Sequence, residues 1–397
     1  MTRSPTLRTP LRDTDSPPLA GVRVLDLTRL LPGPVCSMHL ADMGADVVKI
    51  EDTGAGDYAA PALRALLHRN KRALRLDLKQ PEGVAVLHAL ARDADVLIES
   101  FRPGVTDRLG VGYEALARIN PKLVYCSITG YGQTGPSRDE PGHDLNYCAV
   151  SGVSDQIGSS GGAPALSNIP MADLIGGSLT SAMGLLAALY DAGRTGRGRH
   201  VDISMADSML AHAVVPMVTL AVHGQTRPAG TDKLSGGLPC YSVYATRDAR
   251  HLAVGALERK FWDRFCEVIG RTDLQPLHQP ADAATSDAVR AELTEIIGAQ
   301  TLAHWQQKFD GTGCCVSPVL RLEEALQSPH FRARGLVTDP QQEGGAPQIA
   351  CPVQMTGYRF AVRRPAPKPG EHNLEILAEA GYDAQAVAAL ERQGVVR

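Results

Sequence analysis

The sequence predicts an α/β protein with a large Rossmann-like domain, built on a parallel sheet, and a small α+β domain. Between residues 22 and 128, short β-branched runs alternate with helical segments, which is typical of a parallel sheet covered by helices on both faces. A polar, glycine-containing stretch at 223–236 then precedes a second set of strands. The 397 residues are enough for two domains.

The first third of the chain supplies the elements of the parallel sheet. Short apolar runs rich in β-branched residues indicate buried strands, and longer segments between them indicate helices. We predict strands at 22–28, 46–51, 73–79, 95–100 and 123–128, and helices at 36–43, 80–94 and 111–119. Pro81 fits the first turn of the second of these helices.

Two turns in this region argue against common nucleotide motifs. The sequence RLLPGPVC, at 29–36, lacks the G-x-G-x-x-G pattern that lets a backbone approach a pyrophosphate, so a nicotinamide cofactor is not expected. The sequence TGYGQTG, at 129–135, lacks the lysine and the spacing of a P-loop. We interpret it as a backbone-lined turn at the carboxyl end of a strand, where open α/β sheets bind ligands.

The remaining elements complete the large domain and build the small one. A long helix is predicted from Asp173 to residue 193, and a basic turn leads into a strand at 196–204. A helix at 205–222 is apolar on nearly all sides, so it is either buried or faces a partner chain. The small domain is predicted to contain a hairpin of strands 241–246 and 251–257 and helices at 258–269, 287–308 and 321–328. Helices are also predicted in the tail, at 371–381 and 383–393.

These elements divide the chain into five segments. Residues 1–19 are rich in Pro, Ser, Thr and Arg, and we predict a disordered extension because Asp13, Asp15 and the prolines argue against an organelle presequence. The large domain is predicted at 20–222, a linker at 223–236, the small domain at 237–330, and a return segment that completes the large domain at 331–397.

Composition excludes several classes of function. The net charge of −3 gives no electrostatic case for binding nucleic acid or an anionic membrane. The eight cysteines are scattered, with no C-x-x-C pair and no metal-ligand spacing, which favours reduced thiols in a cytoplasmic protein and no metal site. No apolar run reaches membrane-spanning length.

Three residues are candidates for acid–base chemistry, and each has a structural alternative. His143 follows Gly142 in PGHDLNY and either transfers a proton in catalysis or forms hydrogen bonds with backbone groups of its loop. Asp173 stands where the long helix is expected to begin. It either caps that helix, or it is a catalytic group beside backbone amides that can stabilise a carboxylate or an oxyanion. Glu258 ends a predicted strand and either complements the next helix or orients an imidazole.

Basic residues also adjoin the predicted strand ends. They cluster at 69–79, in RNKRALRLDLK, and at Arg102 in ESFRPGV. Such charges usually form a solvated face. Because open α/β sheets bind ligands at strand ends, they also indicate a phosphate-bearing ligand.

Taken together, the motifs resemble the family III coenzyme A transferases and, within that superfamily, the α-methylacyl-CoA racemases. The resemblance extends from about residue 20 to the end of the chain. The sequences that carry it include VRVLDLTRLLPGPVCSMHLADMGADVVKIE, KRALRLDLKQPEG, ESFRPGV, ITGYGQTGP, GHDLNYCAVSG, MADLIGG, TGRGRHVDISM, VGALERKFW and FDGTGCCVSPVL. GHDLNY, VGALE and FDGTGCCVSPVL are the motifs that resemble the racemases rather than the transferases.

The resemblance implies a role for each candidate. His143 matches the catalytic histidine of racemases, Asp173 matches an aspartate that transferases also keep, and Glu258 matches a glutamate that supports the histidine. It implies that CoA contacts Leu76, Asp77, Leu78 and Lys79, and the segment 142–147 with Gly142, Asp144, Leu145, Asn146 and Tyr147. Arg102 joins these expected CoA contacts because it is a basic residue at a predicted strand end. One position departs from the family, because Asp52 stands where some racemases have an arginine near the nucleotide end of CoA.

The resemblance also implies an assembly and a reaction. The family fold is an interlocked homodimer whose active site lies between the large domain of one chain and the small domain of the other. We expect epimerisation of 2-methylacyl-CoA thioesters by proton transfer through an enolate, with no cofactor beyond the CoA of the substrate. Amides at the start of the helix at Asp173 are expected to hold the enolate oxygen. Branched fatty, sterol-derived and arylpropionyl chains all fit as the acyl group, because an apolar pocket discriminates poorly between them.

Two rival functions remain at this stage. In acyl-CoA:carboxylate CoA transfer, Asp173 is a covalent nucleophile and His143 is incidental. In a non-catalytic CoA-binding protein, the same residues are vestigial.

Overall fold

The structure is a computed structural model that describes residues 16–54, 56, 60–338 and 348–397. It divides into two compact units. Unit 1 contains the described residues up to Ser151, Ser167–His212 and Pro329–Arg397, and unit 2 contains Gly152–Leu166 and Ala213–Ser328. Residues 152–166 and 213–222, which the sequence assigns to the large domain, therefore group with unit 2. Most of the predicted extension, residues 1–15, lies outside the described residues.

Unit 1 is built on a six-stranded parallel sheet with the strand order β3-β2-β1-β4-β5-β6. This is the order of the Rossmann fold, and it confirms the predicted α/β class. The strands are β1 (Arg23–Asp26), β2 (Asp46–Glu51), β3 (Lys71–Arg75), β4 (Val96–Glu99), β5 (Val124–Thr129) and β6 (His200–Ser204). Their apolar residues are buried on both faces of the sheet, as parallel strands require.

Helices connect and cover these strands. They are α1 (Pro32–Asp42), α2 (Pro61–Leu67), α3 (Pro81–Ala91), α4 (Val105–Arg108), α5 (Tyr113–Ile119), α6 (Asp144–Val150), a π-helix (Ala172–Leu179), α7 (Thr180–Thr195) and α8 (Met205–Ala211), with α14 (Pro329–Ala333), α15 (Asn373–Glu379) and α16 (Ala384–Arg392) from the C-terminal segment. The first three begin with proline, whose missing N–H costs nothing at a helix start.

The third strand ends earlier than the sequence predicts. The run at 73–79 favours a strand throughout, but β3 stops at Arg75 and Leu76 makes only an isolated bridge to Val396. The Asp77 carboxylate then accepts the Lys79 amide at 3.0 Å and the Gln80 side chain at 3.0 Å. This local turn competes with the strand and leads the chain into α3.

Asp173 lies near the start of a π-helix rather than at the first turn of an α-helix. The wider turn runs from Ala172 to Leu179 and continues directly into α7. The Ser178 hydroxyl is placed 3.1 Å from the Asp173 carbonyl and 2.7 Å from the Pro32 carbonyl at the start of α1. π-turns are rare and occur often at functional sites.

A glycine pair lets this π-helix pack closely on its neighbours. A Cβ atom on Gly176 would lie 3.0 Å from the Met205 carbonyl, and one on Gly177 would lie 2.6 Å from the Pro32 Cβ. The pair thus serves contact with α8 and α1. Close approach of a ligand is therefore not needed to explain why two glycines stand here.

The apolar segment predicted as one helix at 205–222 is two helices. α8 ends at Ala211 and α9 (Val214–His223) begins after a break. The ring of Pro216 would clash with the carbonyl of residue 212 in a continuous helix. α9 belongs to unit 2 and exposes Val214, Val215, Met217, Val218 and Val222, so it is not buried within the chain.

Unit 2 contains the predicted hairpin and a third strand that the sequence did not indicate. The antiparallel order is β7 (Tyr241–Ala245), β8 (His251–Gly255) and β9 (Val316–Pro318). The helices of this unit are α10 (Arg259–Ile269), α11 (Ala283–Gly298), α12 (Leu302–Phe309) and α13 (Leu322–Leu326). The helix predicted at 287–308 is divided because the Thr301 hydroxyl caps a new helix start.

One helical stretch of the described chain is long and apolar enough to cross a membrane. It is Ala172–Thr195, the π-helix with α7, a stretch of 24 residues that contains an 18-residue window with a mean hydropathy of 1.4. The sequence did not indicate an apolar stretch of this length. The bent pair Met205–Ala211 and Val214–His223 passes the same test only if both helices are counted as one span. Core helices of globular proteins pass this test too, and Ala182, Leu185 and Ala188 of the first stretch are buried in unit 1.

A buried cluster of charges joins three neighbouring strands of unit 1. Asp26 of β1 lies 3.5 Å from Lys49 Nζ of β2 and 3.4 Å from Lys71 Nζ of β3, and all three side chains are buried. Burial alone would raise the Asp26 pKa, but the two ammonium groups and nearby hydroxyls outweigh burial and lower it. Lys71 also donates to the Pro34 carbonyl at 2.9 Å and thereby fixes the start of α1.

We predict that Asp26→Asn lowers the free energy of unfolding by about 3 kcal/mol or more. The amide preserves size but leaves two buried lysines without a counter-charge, and breaking a buried pair in this way is costly. Urea denaturation at pH 7 and fixed protein concentration measures the change. Asp93→Asn removes an exposed carboxylate and serves as the control. Equal stability of the two variants would contradict this role for Asp26.

We predict that Gly177→Ala lowers the free energy of unfolding by about 1–3 kcal/mol, because the new methyl group overpacks against Pro32 and Met205. Gly193→Ala is the matched control. Its Cβ would meet nothing within 4 Å, so it is expected to be neutral or to stabilise α7 by up to about 1 kcal/mol. Thermal denaturation of both variants is the measurement, and a stabilised Gly177→Ala would contradict the close packing.

Candidate active site

His143 lies at the surface, immediately before α6. Its backbone amide donates to Asn146 Oδ1 at 3.1 Å, which fixes the helix start, and its imidazole is exposed. Gly142 is required here for packing, because a Cβ atom would lie 2.6 Å from the ring of Tyr147. The loop therefore presents the imidazole outward over a buried tyrosine.

Asp173 is half-buried and close to His143. Its backbone amide donates to Asp144 Oδ1 at 3.0 Å, which ties the π-helix to the start of α6. Burial, followed by the charge of Asp144, raises the pKa of the Asp173 carboxyl to about 6, and His143 acts in the opposite direction. The imidazole and the carboxyl group are therefore within electrostatic range of each other in unit 1.

The amides around Asp173 do not form the oxyanion site that the sequence suggested. The Asp173 amide is used by Asp144, and the Leu174 amide donates to the Pro170 carbonyl at 3.0 Å. The Ala172 amide is directed at the Cys148 sulfur. The helix begins before Asp173, so these donors are already satisfied. In the described chain, no acceptor takes the amides of Asp144 and Leu145 at the start of α6.

Glu258 belongs to unit 2, whereas His143 and Asp173 belong to unit 1. It has the extended backbone of an N-cap residue before α10, but its carboxylate makes no capping hydrogen bond. The side chain is exposed. The carboxylate therefore does not cap α10 by a hydrogen bond, although its charge still complements the helix start.

Most of the basic cluster at 69–79 holds the protein together. Arg69 is buried against Asp42 at 2.7 Å, Lys71 belongs to the buried charge cluster, and Arg72 pairs with Asp46 and Glu379. The expectation of a phosphate-binding cluster was wrong for these three. Lys71 and Arg72 are consecutive residues of β3 and face opposite sides of the sheet, and both are buried. The spacing of charges along the chain did not reveal this. Lys79, by contrast, is 77% exposed.

A pocket of about 280 Å³ lies at the carboxyl ends of β1 to β4, where open α/β sheets bind ligands. Its walls are mostly apolar, and its rim is charged. It is lined by Leu27, Arg29, Ile50, Glu51, Asp52, Leu76, Leu78, Lys79, Phe101, Val105 and Leu109. Asp77 is not among them, because its carboxylate holds the turn before α3.

Charged residues of both signs stand on the rim of this pocket. Asp52 lies 4.0 Å from Arg29 and 3.8 Å from Lys79, measured between carboxylate oxygen and nitrogen. The Arg29 guanidinium lies 5.1 Å from the centre of the Phe101 ring. Sequence analysis missed Arg29 and Phe101, although each directly follows a predicted strand.

The segment 142–147 contributes structural as well as exposed groups. Tyr147 is buried and its hydroxyl donates to the Gly142 carbonyl. Burial, then Tyr131 and Asp173, raise the pKa of Tyr147 to about 12, whereas Arg102 acts to lower it. Arg102 and Asp173 thus both lie near this ring. Leu145 and Asn146 are exposed.

Metal-binding groups are not evident in the part of the chain that the structure describes. No cluster of three or more His, Cys, Asp or Glu residues there has the arrangement of a metal site. The eight cysteines are free thiols, and seven of them are buried.

Comparison with known proteins places this geometry in context. The sequence model of "CoA-transferase family III" matches residues 19–373. The chain is 36% identical to the alpha-methylacyl-CoA racemase of Homo sapiens, covering 95% of this chain and 97% of that protein. It is 33% identical to the succinate–glutarate CoA-transferase of Agrobacterium fabrum, covering 91% and 96%. A solved CAIB/BAIF family protein from Brucella suis superposes with a TM-score of 0.82 at 28% identity, covering 92% and 100%. The chain therefore belongs to CoA-transferase family III.

Proposed function

We propose that this protein is an α-methylacyl-CoA racemase, an isomerase that inverts the 2-methyl stereocentre of acyl-CoA thioesters. The observation that carries the proposal is the proximity of His143 to Asp173, whose pKa is raised to about 6. Racemisation by two groups needs one proton acceptor and one proton donor at the same pH. The similarity to racemases of Homo sapiens and Mus musculus, at 36% and 37% identity, supports the same activity.

The reaction moves one proton off the substrate and another onto it. His143 removes the proton from the carbon next to the thioester carbonyl. The C–H electron pair forms a C=C bond to the carbonyl carbon, and the π pair of the C=O bond moves onto the oxygen to form an enolate. Asp173 then gives its proton to the opposite face of the planar carbon. The reverse reaction exchanges the two roles. The free amides of Asp144 and Leu145 are the donors that we assign to the enolate oxygen.

CoA supplies binding energy at a distance from the reacting carbon. We assign its nucleotide half to the pocket lined by Leu76, Leu78 and Lys79, and its thioester end to Arg102 and the segment 142–147. Asp77 shapes the pocket through its turn. No other cofactor is required, since the thioester itself acidifies the proton.

We further propose that the enzyme works as an interlocked homodimer in the cytoplasm. The apolar exposed residues of α9, which the sequence interpreted as buried or facing a partner chain, favour the second of these. Glu258 then orients the His143 imidazole of the other copy.

CoA transfer between acyl-CoA and a carboxylate is the second candidate. In that reaction the Asp173 carboxylate attacks the thioester carbonyl and expels CoA thiolate, which gives a mixed anhydride. The CoA thiolate then attacks the aspartyl carbonyl of the anhydride, and the donor leaves as its free carboxylate. The acceptor carboxylate takes CoA from the aspartyl thioester through a second anhydride, which restores Asp173. The 33% identity to a succinate–glutarate CoA-transferase favours it. The raised pKa of Asp173 does not count against this reaction, because a carboxyl group with a pKa of about 6 is mostly ionised at pH 7. What counts against it is that it leaves the nearby His143 imidazole without a role.

We predict that His143→Ala abolishes racemisation, lowering kcat by at least about a hundredfold, because general-base catalysis contributes that much. Chiral 2-methylacyl-CoA thioesters in deuterium oxide report both epimerisation and exchange of the α-proton. His251→Ala removes an exposed imidazole and is the control.

The same experiment distinguishes the rivals. CoA transfer that survives in His143→Ala, together with CoA bound covalently to Asp173, would establish the transferase instead. Absence of proton exchange by the unmodified enzyme across a panel of branched fatty, sterol-derived and arylpropionyl thioesters would indicate a vestigial site.

We predict that Asp52→Asn strengthens CoA binding by about threefold to tenfold at low salt. The substitution removes a negative charge from the rim that carries Arg29 and Lys79, so a phosphate there meets less repulsion. Calorimetry with CoA and with dephospho-CoA measures the effect, which is expected to be smaller for dephospho-CoA. Asp93→Asn is the control, and weaker CoA binding by Asp52→Asn would contradict the assignment of the pocket.

A further inference from the structure

Asp144 makes a contact that neither the sequence motifs nor the family resemblance assigns to it. It is the first residue of α6, directly after His143, and is half-buried. One carboxylate oxygen accepts the backbone amide of Asp173 at 3.0 Å. The other lies 4.0 Å from the Cys148 sulfur. The carboxylate is therefore turned toward the π-helix and away from the exposed side of the loop.

This contact has a mechanical consequence for the site. Asp144 and His143 share one peptide bond, and Asp144 binds the backbone of Asp173 at its other end. A single side chain thus links the two segments that carry the proposed proton donor and acceptor. A hydrogen bond to a charged group is stronger than a neutral one, so the spacing of the two groups depends on it.

The contact also has an electrostatic consequence. Ionisation of Asp173 places a second negative charge beside Asp144 in a half-buried site. Like charges at short range disfavour the charged form of a carboxyl group. Asp144 therefore works with burial to raise the Asp173 pKa to about 6. A larger fraction of Asp173 then holds a proton near neutral pH than a carboxyl group with an ordinary pKa would.

We propose that Asp144 is a positioning residue for Asp173: one carboxylate oxygen fixes the Asp173 backbone, and the negative charge beside Asp173 favours its protonated form. The proposal rests on the proposed racemase function for its catalytic meaning. The coupling itself is a property of the folded chain, whichever reaction the site performs.

The groups that face Asp173 are few and come from one side. His143, Asp144, Tyr147 and Cys148 are the titratable groups coupled to it. α1, α7, α8 and β6 also pack on the π-helix, but none of their titratable side chains contributes to the Asp173 pKa. The charge of Asp144 is the largest influence after burial.

The test is Asp144→Asn, which keeps an acceptor oxygen for the Asp173 amide and removes the charge. The titration midpoint of Asp173 is measured by carbon-13 NMR of the aspartate carboxyl groups, and its resonance is assigned by its loss in Asp173→Asn. We expect the midpoint to fall from about 6 by about one pH unit. In the direction in which Asp173 donates its proton, the alkaline limb of the kcat/KM profile is expected to move to lower pH by the same amount.

Two further variants make the result decisive. Glu140→Gln removes an equal charge from an exposed position three residues before His143, and it is expected to leave the midpoint unchanged. Asp144→Glu keeps the charge, so its midpoint stays within about half a unit of the original even if Asp144→Asn fails to fold. An unchanged midpoint in folded Asp144→Asn, or a large fall in Asp144→Glu, overturns the proposal.

The proposed role of Asp144 and the proposed racemase function are disproved by different measurements. The NMR titration needs no substrate, so loss of coupling between Asp144 and Asp173 is visible in a protein of any activity. Conversely, an enzyme that does not epimerise thioesters but shows the shifted midpoint keeps Asp144 as the positioning residue of a different reaction.

Discussion

The buried charge cluster of Asp26, Lys49 and Lys71 is the constraint on which the site depends. It joins β1, β2 and β3, and Lys71 extends the cluster to the Pro34 carbonyl at the start of α1. The same helix start is contacted from the opposite side by Ser178 of the π-helix. Because charges in a protein interior tolerate little movement without loss of pairing, the helix start is a firm platform for the turn that carries Asp173.

The candidate site combines this rigid base with an exposed loop. The π-helix places Asp173 where burial raises its pKa, and the start of α6 brings His143 into electrostatic range. Asp144 and His143 thus both act on the pKa of Asp173, the first to raise it and the second to lower it. The surroundings of Asp173, and not its chemical type alone, decide how readily it holds a proton. The half-burial of Asp173 and the exposure of His143 are as important to this assignment as the identity of the residues.

The architecture was largely predictable from the sequence, and the site only in part. All six strands of the parallel sheet were predicted, five of them from continuous apolar runs and the sixth after the basic turn that begins at 196. Burial on both faces of the sheet leaves a clear apolar pattern. The end of β3 was not predicted because the turn at Asp77 depends on local hydrogen bonds to its carboxylate. The pattern of apolar residues does not indicate such bonds. The π-helix and the break before α9 depend on contacts between distant residues. His143, Asp173 and Glu258 were visible as motifs, but the link through Asp144 joins positions 29 residues apart, which spacing along the chain cannot reveal.

The π-helix limits which deletions in this chain leave the site intact. A π-turn holds one residue more than an α-turn, so deleting one residue between Leu174 and Ser178 would allow an uninterrupted α-helix from Ala172 to Thr195. Each residue of an α-helix advances the direction of its side chain by about 100°. The deletion would therefore rotate Asp173 away from His143 while leaving the sheet beneath it intact, and a shorter loop elsewhere would not restore the alignment.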